Sequence, residues 1–295
     1  MDLREDVGRQ YRRQDTSSTH TESSPPASFT PAGALRAAEE RLAGLARVIE
    51  AEIIPRLMLA HGNGADTISV PEVAPGVDAV MEFTQLILDR DVLVAAEYVD
   101  AKRSLGMPMA SIFLHLLTPA ARRLGALWEA DRCSFTEVTL ALWRLQQLLH
   151  ELSPAFQKGG RGCQGGRRAL LVPAPGEQHT FGLSMVIEFF ERAGWDVAAE
   201  HPDSAEQIVR AAKEENFDLL GLSAGTTLKL DVLGPVIAEV RRVSRNRAIG
   251  VMVGGPIFVE HPEYVALVGA DVTAADGREA VLQAEKIVAF RQMHN

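Results

Sequence analysis

The sequence predicts an all-α helical bundle followed by an α/β domain on a five-stranded parallel sheet, Rossmann-like and of the flavodoxin type. Three observations carry that expectation. Between residues 34 and 156 apolar residues recur at helical spacing and no segment alternates like a strand. After Arg168, short β-rich runs alternate with helical runs of about 10–15 residues, the pattern of a parallel sheet covered on both faces. Between the two halves lies "QKGGRGCQGGRR", a Gly-rich and basic stretch with the composition of a flexible linker.

The expected organisation is therefore a tail over 1–33, a helical bundle over 34–156, a linker over 157–167 and a sheet domain over 168–295. The tail is polar and rich in Ser, Thr and Pro, too poor in apolar surface to offset the entropy of ordering. The bundle begins with "ALRAAEERLAGLARVIEAEIIPRLMLAH", which has apolar residues on one face and Arg and Glu on the other. "VDAVMEFTQLILDRDVLVAAEYVDAKRSLG" gives one or two further helices. "MASIFLHLLTPAARRLGALWEAD" gives another, kinked near Pro119. "SFTEVTLALWRLQQLLHELSPAF" opens with Ser134 three residues before Glu137, a capping box. Four or five helices make the bundle.

Five β-then-α pairs follow: "ALLVP", "WDVAAE", "FDLLGLSA", "RAIGVMVGG" and "ADVTAA", each leading into a helical run. Ligands of such folds sit at the carboxyl ends of the strands. The loops at 174–182, 223–228 and 254–260 are the ones that face that edge.

Composition bounds the function. The 295 residues suggest roughly two domains, and 46% hydrophobic with 23% charged residues fits a globular chain with real cores. A net charge of −9 argues against direct nucleic-acid binding, which needs basic surface. No apolar run reaches the ~18 residues that span a bilayer, and the N-terminus lacks the apolar core of a secretory signal. Cys133 and Cys163 stand in no C-x-x-C pair. A cytoplasmic protein with no membrane partner is expected.

The first loop, "PGEQHTFG", spaces Glu177, His179 and Gly182 as E-x-H-x-x-G. An acid at a helix start suits the helix dipole by itself, so the loop reads either as a helix start or as a ligand site. The second loop, "SAGTT", offers the hydroxyls of Ser223 and Thr227 to a ligand or to a cap. The third, "VGGP", places Gly254 and Gly255 where backbone can approach a bulky group or make a tight turn. All three fall on one edge of one sheet. No G-x-G-x-x-G follows the first strand and no P-loop lysine is present. A neutral imidazole binds metal through one nitrogen while the other seeks an acceptor such as a nearby carboxylate. One histidine cannot hold a bare ion; it suffices for a metal already held by a macrocycle.

Together "GEQHTFG", "LSAGTT", "VMVGGP" and "VGADVTAADGREAV" resemble the cobalamin-binding domain family over about 168–292, with its D-x-H-x-x-G, S-x-L and Gly-Gly loops in order. The resemblance implies base-off cobalamin with His179 as lower axial cobalt ligand. It also implies that Glu177 accepts from the imidazole, that Gly182 leaves space for the nucleotide tail, that Ser223 bonds the displaced base and that Gly254 and Gly255 line the tail slot. Thr227 is counted with the second loop. Two positions depart from the pattern: Glu177 replaces aspartate, and Gly225 replaces leucine.

The helical part resembles the caps of methionine synthase and CarH-type photoreceptors, in which a tryptophan precedes a Glu-His pair by nine residues. Here Trp128 is present, but Val138 and Thr139 occupy the places of that pair. The resemblance places Trp128 over the upper face of the corrin and Val138 beside the cofactor. It excludes a second cobalt-binding histidine at that position. The whole chain is similar to the AerR/PpaA group of antirepressors. That implies a non-enzymatic, light-responsive sensor acting on a transcription repressor, loaded with adenosylcobalamin or another upper-ligand form. Related photocobilins add a bilin as second chromophore, for which the sequence assigns no site. A corrinoid carrier for methyl transfer, or a flavodoxin-like protein with an unrelated ligand, are the alternatives. The oligomeric state stays open.

Overall fold

The computed structural model describes residues 75–160, 166–199, 202 and 204–293. The tail expected over 1–33, the helix expected over 34–61 and the linker centre 161–165 lie outside the described residues.

The helical half begins with α1 (Val77–Asp89) and α2 (Val92–Ser104), so the long second run is two helices. Asp91 separates them, its carboxylate accepting from the Leu93 N–H at 3.2 Å, as an N-cap does. Next, α3 (Met109–Ile112) opens into a π turn over Phe113–Leu117 and resumes as α4 (Thr118–Glu129). The kink expected near Pro119 takes this form. Proline brings no N–H to the ladder, and the wider turn absorbs the defect just before it. The Thr118 backbone N–H and its hydroxyl both donate to the Phe113 carbonyl, the latter at 2.9 Å. Finally α5 (Phe135–Gln157) starts from a complete capping box. Ser134 Oγ accepts from the Glu137 N–H at 3.2 Å, and Glu137 Oε2 accepts from the Ser134 N–H at 2.7 Å. α5 takes in Gln157, which composition had placed in the linker.

The sheet half comprises β1 (Arg168–Pro173), α6 (Phe181–Arg192), β2 (Asp196–Ala198), α7 (Ala205–Glu214), β3 (Leu219–Ser223), α8 (Leu230–Val243), β4 (Gly250–Gly254), α9 (Pro256–Glu260), α10 (Glu263–Leu267) and α11 (Gly277–Met293). All pairings are parallel, in the order β2-β1-β3-β4. Among the described residues the sheet has four strands, not the five expected. The fifth run, "ADVTAA", touches β4 through one bridge, Met252 to Val272. A side chain explains the truncation: the Val251 N–H donates to Asp271 Oδ2 at 2.7 Å instead of to a strand carbonyl. Arg241 and Arg291 hold Asp271 Oδ1 at 2.9 and 2.6 Å, which fixes the carboxylate there.

Alternation along β1 divides the interior. Leu170 and Val172 join the core under α7 and α8, while Ala169 and Leu171 join the core under α6 and α11. The second core is continuous with that of the helical half. Phe156 of α5 packs against Phe113 at 4.5 Å between centroids and against Phe189 of α6 at 5.0 Å. The first pair is tilted and the second edge-on, and aromatic pairs in such favoured geometries add about 0.5–1.5 kcal/mol each beyond buried area.

From β1 the chain crosses to β2 on one side, and from β3 it crosses to β4 on the other. The loops after β1 and β3 therefore diverge, and the crevice between them is the topological switch point.

Candidate cofactor site

The first loop is built by a tight turn. The Glu177 N–H donates to the Ala174 carbonyl at 2.8 Å across Pro175 and Gly176. Proline presets the first corner, and glycine supplies a φ of 70° at the second, the requirement of a type II turn. The turn delivers Glu177 into the crevice with its side chain 4% exposed. Its Oε1 accepts from the Gln178 N–H at 2.8 Å, the His179 N–H at 2.9 Å and the His179 ring at 2.6 Å. Its Oε2 accepts from the Gly225 N–H of the second loop at 2.7 Å. Burial pushes the Glu177 carboxyl up, but donation by Gly225, by the His179 backbone and by the imidazole outweighs it. The group lies below its ordinary value and is an acceptor only.

The tautomer of His179 follows. A carboxylate has no proton to offer, so Nδ1 must carry the hydrogen of the 2.6 Å contact. In the neutral ring Nε2 then keeps its lone pair, on a side chain that is 75% exposed. A neutral, oriented imidazole presented to the crevice is what a metal ligand needs. Among the described residues no cluster of three or more His, Cys, Asp or Glu stands ready to hold a bare ion. The donor set fits a metal that arrives within a macrocycle.

The second loop locks onto the first, and the third onto the second. Ser223 ends β3 half-buried, and its carbonyl accepts from the Ala174 N–H at 2.8 Å. Thr227 is exposed at the start of a 3-10 turn over Thr227–Lys229. Lys229 reaches back, its Nζ donating to the Pro175 carbonyl at 3.0 Å. Gly254 accepts from the Ala224 N–H at 2.9 Å. Gly255 has φ 113°, and a side chain there would overlap the Ala224 carbonyl, so that tight turn requires glycine. Gly182 and Gly254 differ: a Cβ at either would meet no atom within 4 Å. Nothing in the protein forbids a side chain at those two positions, and the open space beside them suits a bound group.

Glu177, His179, Ser223 and the glycines thus share one edge. Trp128 and Val138 lie in the helical half, outside the hydrogen-bond network of the three loops. Trp128 is 47% exposed near the end of α4, so it is not an ordinary core tryptophan; Val138 is 6% exposed and packs into the helical core. Sequence reasoning missed Gly225 and Lys229 as members of the site. Gly225 had stood out only as a departure from S-x-L, and a backbone N–H leaves no signal in residue type.

Fold and site define an α/β protein with a carboxylate-backed imidazole at the switch point of its sheet, an arrangement suited to ligating a metal. Residues 167–285 match the B12 binding domain. The chain is 30% identical over 177 residues to an uncharacterized 20.5 kDa protein in the bchF-crtJ intergenic region of Rhodobacter capsulatus, covering 60% of this chain and 92% of that one. It is 26% identical over 176 residues to dimethylamine corrinoid protein 1 of Methanosarcina acetivorans, covering 59% and 80%. The fold is similar to that of the Methanosarcina barkeri monomethylamine corrinoid protein, with TM-score 0.61 at 20% identity over 71% of this chain and 98% of that one. The chain belongs to the B12-binding domain family, which supports cobalamin as its cofactor. Among the described residues no helix is long and apolar enough to cross a membrane.

Proposed function

We propose that the protein is a cytoplasmic, non-enzymatic sensor that binds cobalamin base-off, with His179 Nε2 as lower axial cobalt ligand. Light or cofactor state is converted into altered binding of a regulatory protein, a transcription repressor. The observation that carries the ligation is the 2.6 Å contact between His179 Nδ1 and the buried Glu177 carboxylate, on an imidazole whose side chain is 75% exposed, so that Nε2 of the neutral ring is free to ligate. When bound, the corrinoid supplies a cobalt–carbon bond that light can break. Gly182, Ser223, Gly254 and Gly255 border the slot for the nucleotide tail, with Thr227 at its rim. The exposed Trp128 supports a cap that reads the upper face of the cofactor, and the similarity to the AerR/PpaA group supports the regulatory output.

A second reading is a corrinoid carrier for a methyltransferase, favoured by the likeness to dimethylamine corrinoid proteins. One experiment separates the two. Protein purified from cobalamin-fed cells is examined by absorption spectroscopy before and after illumination, and then offered to a corrinoid methyltransferase. A light-induced spectral change without methyl turnover is expected. Methyl turnover by a light-indifferent complex establishes the carrier.

A further inference from the structure

The two departures of this chain from the family pattern, Glu177 for aspartate and Gly225 for leucine, meet in space. Glu177 Oε2 accepts the Gly225 N–H at 2.7 Å across the switch point. A Cβ at 225 would lie 3.3 Å from that same Oε2 and 3.3 Å from His179 Nδ1. Those distances are tighter than ordinary van der Waals contact, so a side chain there would displace one or both of these hydrogen-bonded groups. The carboxylate holds four hydrogen bonds, and the ring is fixed by one of them.

We infer that Gly225 is a positioning residue for the axial histidine, matched to the length of Glu177. The extra methylene of glutamate carries Oε2 over to the second loop. The missing side chain at 225 gives that oxygen its place and gives the imidazole its back wall. The acceptor of the histidine proton is thereby anchored on a main-chain N–H, which no side-chain substitution other than proline removes. Lys229 braces the same junction from the far side, its Nζ on the Pro175 carbonyl. Shortening the acid to aspartate retracts the carboxylate by one carbon and breaks the bridge to Gly225, but it opens the space that a side chain at 225 requires. The two positions must therefore be coupled, because each substitution alone damages what the other accommodates.

This inference rests on His179 as the cobalt ligand, and the test keeps the two separable. The full chain is loaded with cobalamin as wild type, Glu177→Asp, Gly225→Leu, the double variant and His179→Ala. Affinity is measured, and the cobalt(II) form is examined by electron paramagnetic resonance for splitting by an axial imidazole nitrogen. Each single variant at 177 or 225 is expected to lose about 10–100-fold in affinity, the range for groups that orient a metal ligand. Each should also lose part of the nitrogen splitting. The double variant should bind no more weakly than the weaker single variant and regain splitting. Strictly additive losses, or full affinity and splitting in Gly225→Leu, overturn the inference. Where Gly225→Leu fails to fold, Gly225→Ala enters the same cycle under the same criteria. Loss of splitting in His179→Ala with none in Gly225→Leu leaves the ligand standing and rejects the coupling. Unchanged splitting in His179→Ala rejects the ligand itself.

Discussion

Glu177 and His179 form a single hydrogen-bonded unit in which the side chain with the chemistry is exposed and the one that directs it is buried, 75% against 4%. The acid fixes the ring at 2.6 Å and takes two main-chain N–H groups of its own loop on the same oxygen. Binding strength and loop geometry are therefore joined in one carboxylate.

That joint role predicts a graded series for cobalamin binding. His179→Ala removes the axial nitrogen and should abolish the spectrum of imidazole-bound cobalt together with most of the affinity. Glu177→Gln keeps the size and one acceptor oxygen, so it should weaken binding by about 10–100-fold and less than His179→Ala does. Equal losses in titrations of the two variants would show that Glu177 acts by folding the loop rather than by orienting the ring.

A second carboxylate marks the junction of the two halves. Glu191 on α6 is pushed above its ordinary value, first by burial and then by the neighbouring Glu188. Gln157 of α5 binds Glu188 Oε2 at 2.7 Å and Ser153 binds it at 2.6 Å, so the polar contacts at this junction go chiefly to Glu188. An acid whose folded value is raised holds its proton more tightly in the folded state. Its contribution is most favourable below about pH 4.5 and is lost as pH rises through the folded value. Glu191→Gln should therefore raise the melting temperature at pH 7 and leave it nearly unchanged at pH 4. A larger gain at pH 4 than at pH 7 would contradict the assignment.

The apolar part of the same junction centres on Phe156, which is fully buried. It packs between Phe113 and Phe189, with the Arg192 guanidinium 4.5 Å from its ring centroid. Phe156→Ala empties that place and should cost about 3–5 kcal/mol in chemical denaturation. Because the lost contacts join the halves, limited proteolysis of the variant should cut the 157–167 segment faster than in wild type. A loss below about 1 kcal/mol, the scale of a surface change, would mean the junction is held elsewhere.

Much of this was legible in the sequence where one residue type has one use. The Ser134–Glu137 capping box, the β–α rhythm after Arg168 and the shared edge of the three loops follow from spacing alone. What was not legible depends on tertiary partners. "ADVTAA" has strand composition, yet the Asp271 side chain takes the Val251 N–H and stops the ladder after one bridge. Val138 and Trp128 sit ten residues apart around a helix turn-around. Only packing shows that the valine faces the core and the tryptophan faces outward. In sequence Gly225 is only a departure from the motif, because its role rests on a main-chain N–H that donates to Glu177 across the crevice.

The exposure of Trp128 leads to the prediction about output. An indole that is 47% exposed at the end of α4 is available to a cofactor face or a partner, and truncating it leaves no large cavity in the core. A sensor can shift a two-state element only by binding its two states with different affinities. If Trp128 reads the upper face of the corrin, Trp128→Ala should leave cobalamin bound through His179 with an unchanged imidazole-cobalt spectrum. It should reduce the difference between dark and illuminated protein in affinity for a candidate repressor. The measurement is partner binding, dark and illuminated, for wild type and variant at matched cobalamin occupancy. Wild type is expected to show at least about a fivefold difference, the lower end of ordinary coupling between sites, and the variant less than half of it on a logarithmic scale. Wild-type binding that ignores both light and cobalamin, alongside turnover of the bound corrinoid by a methyltransferase, would replace the sensor with the carrier.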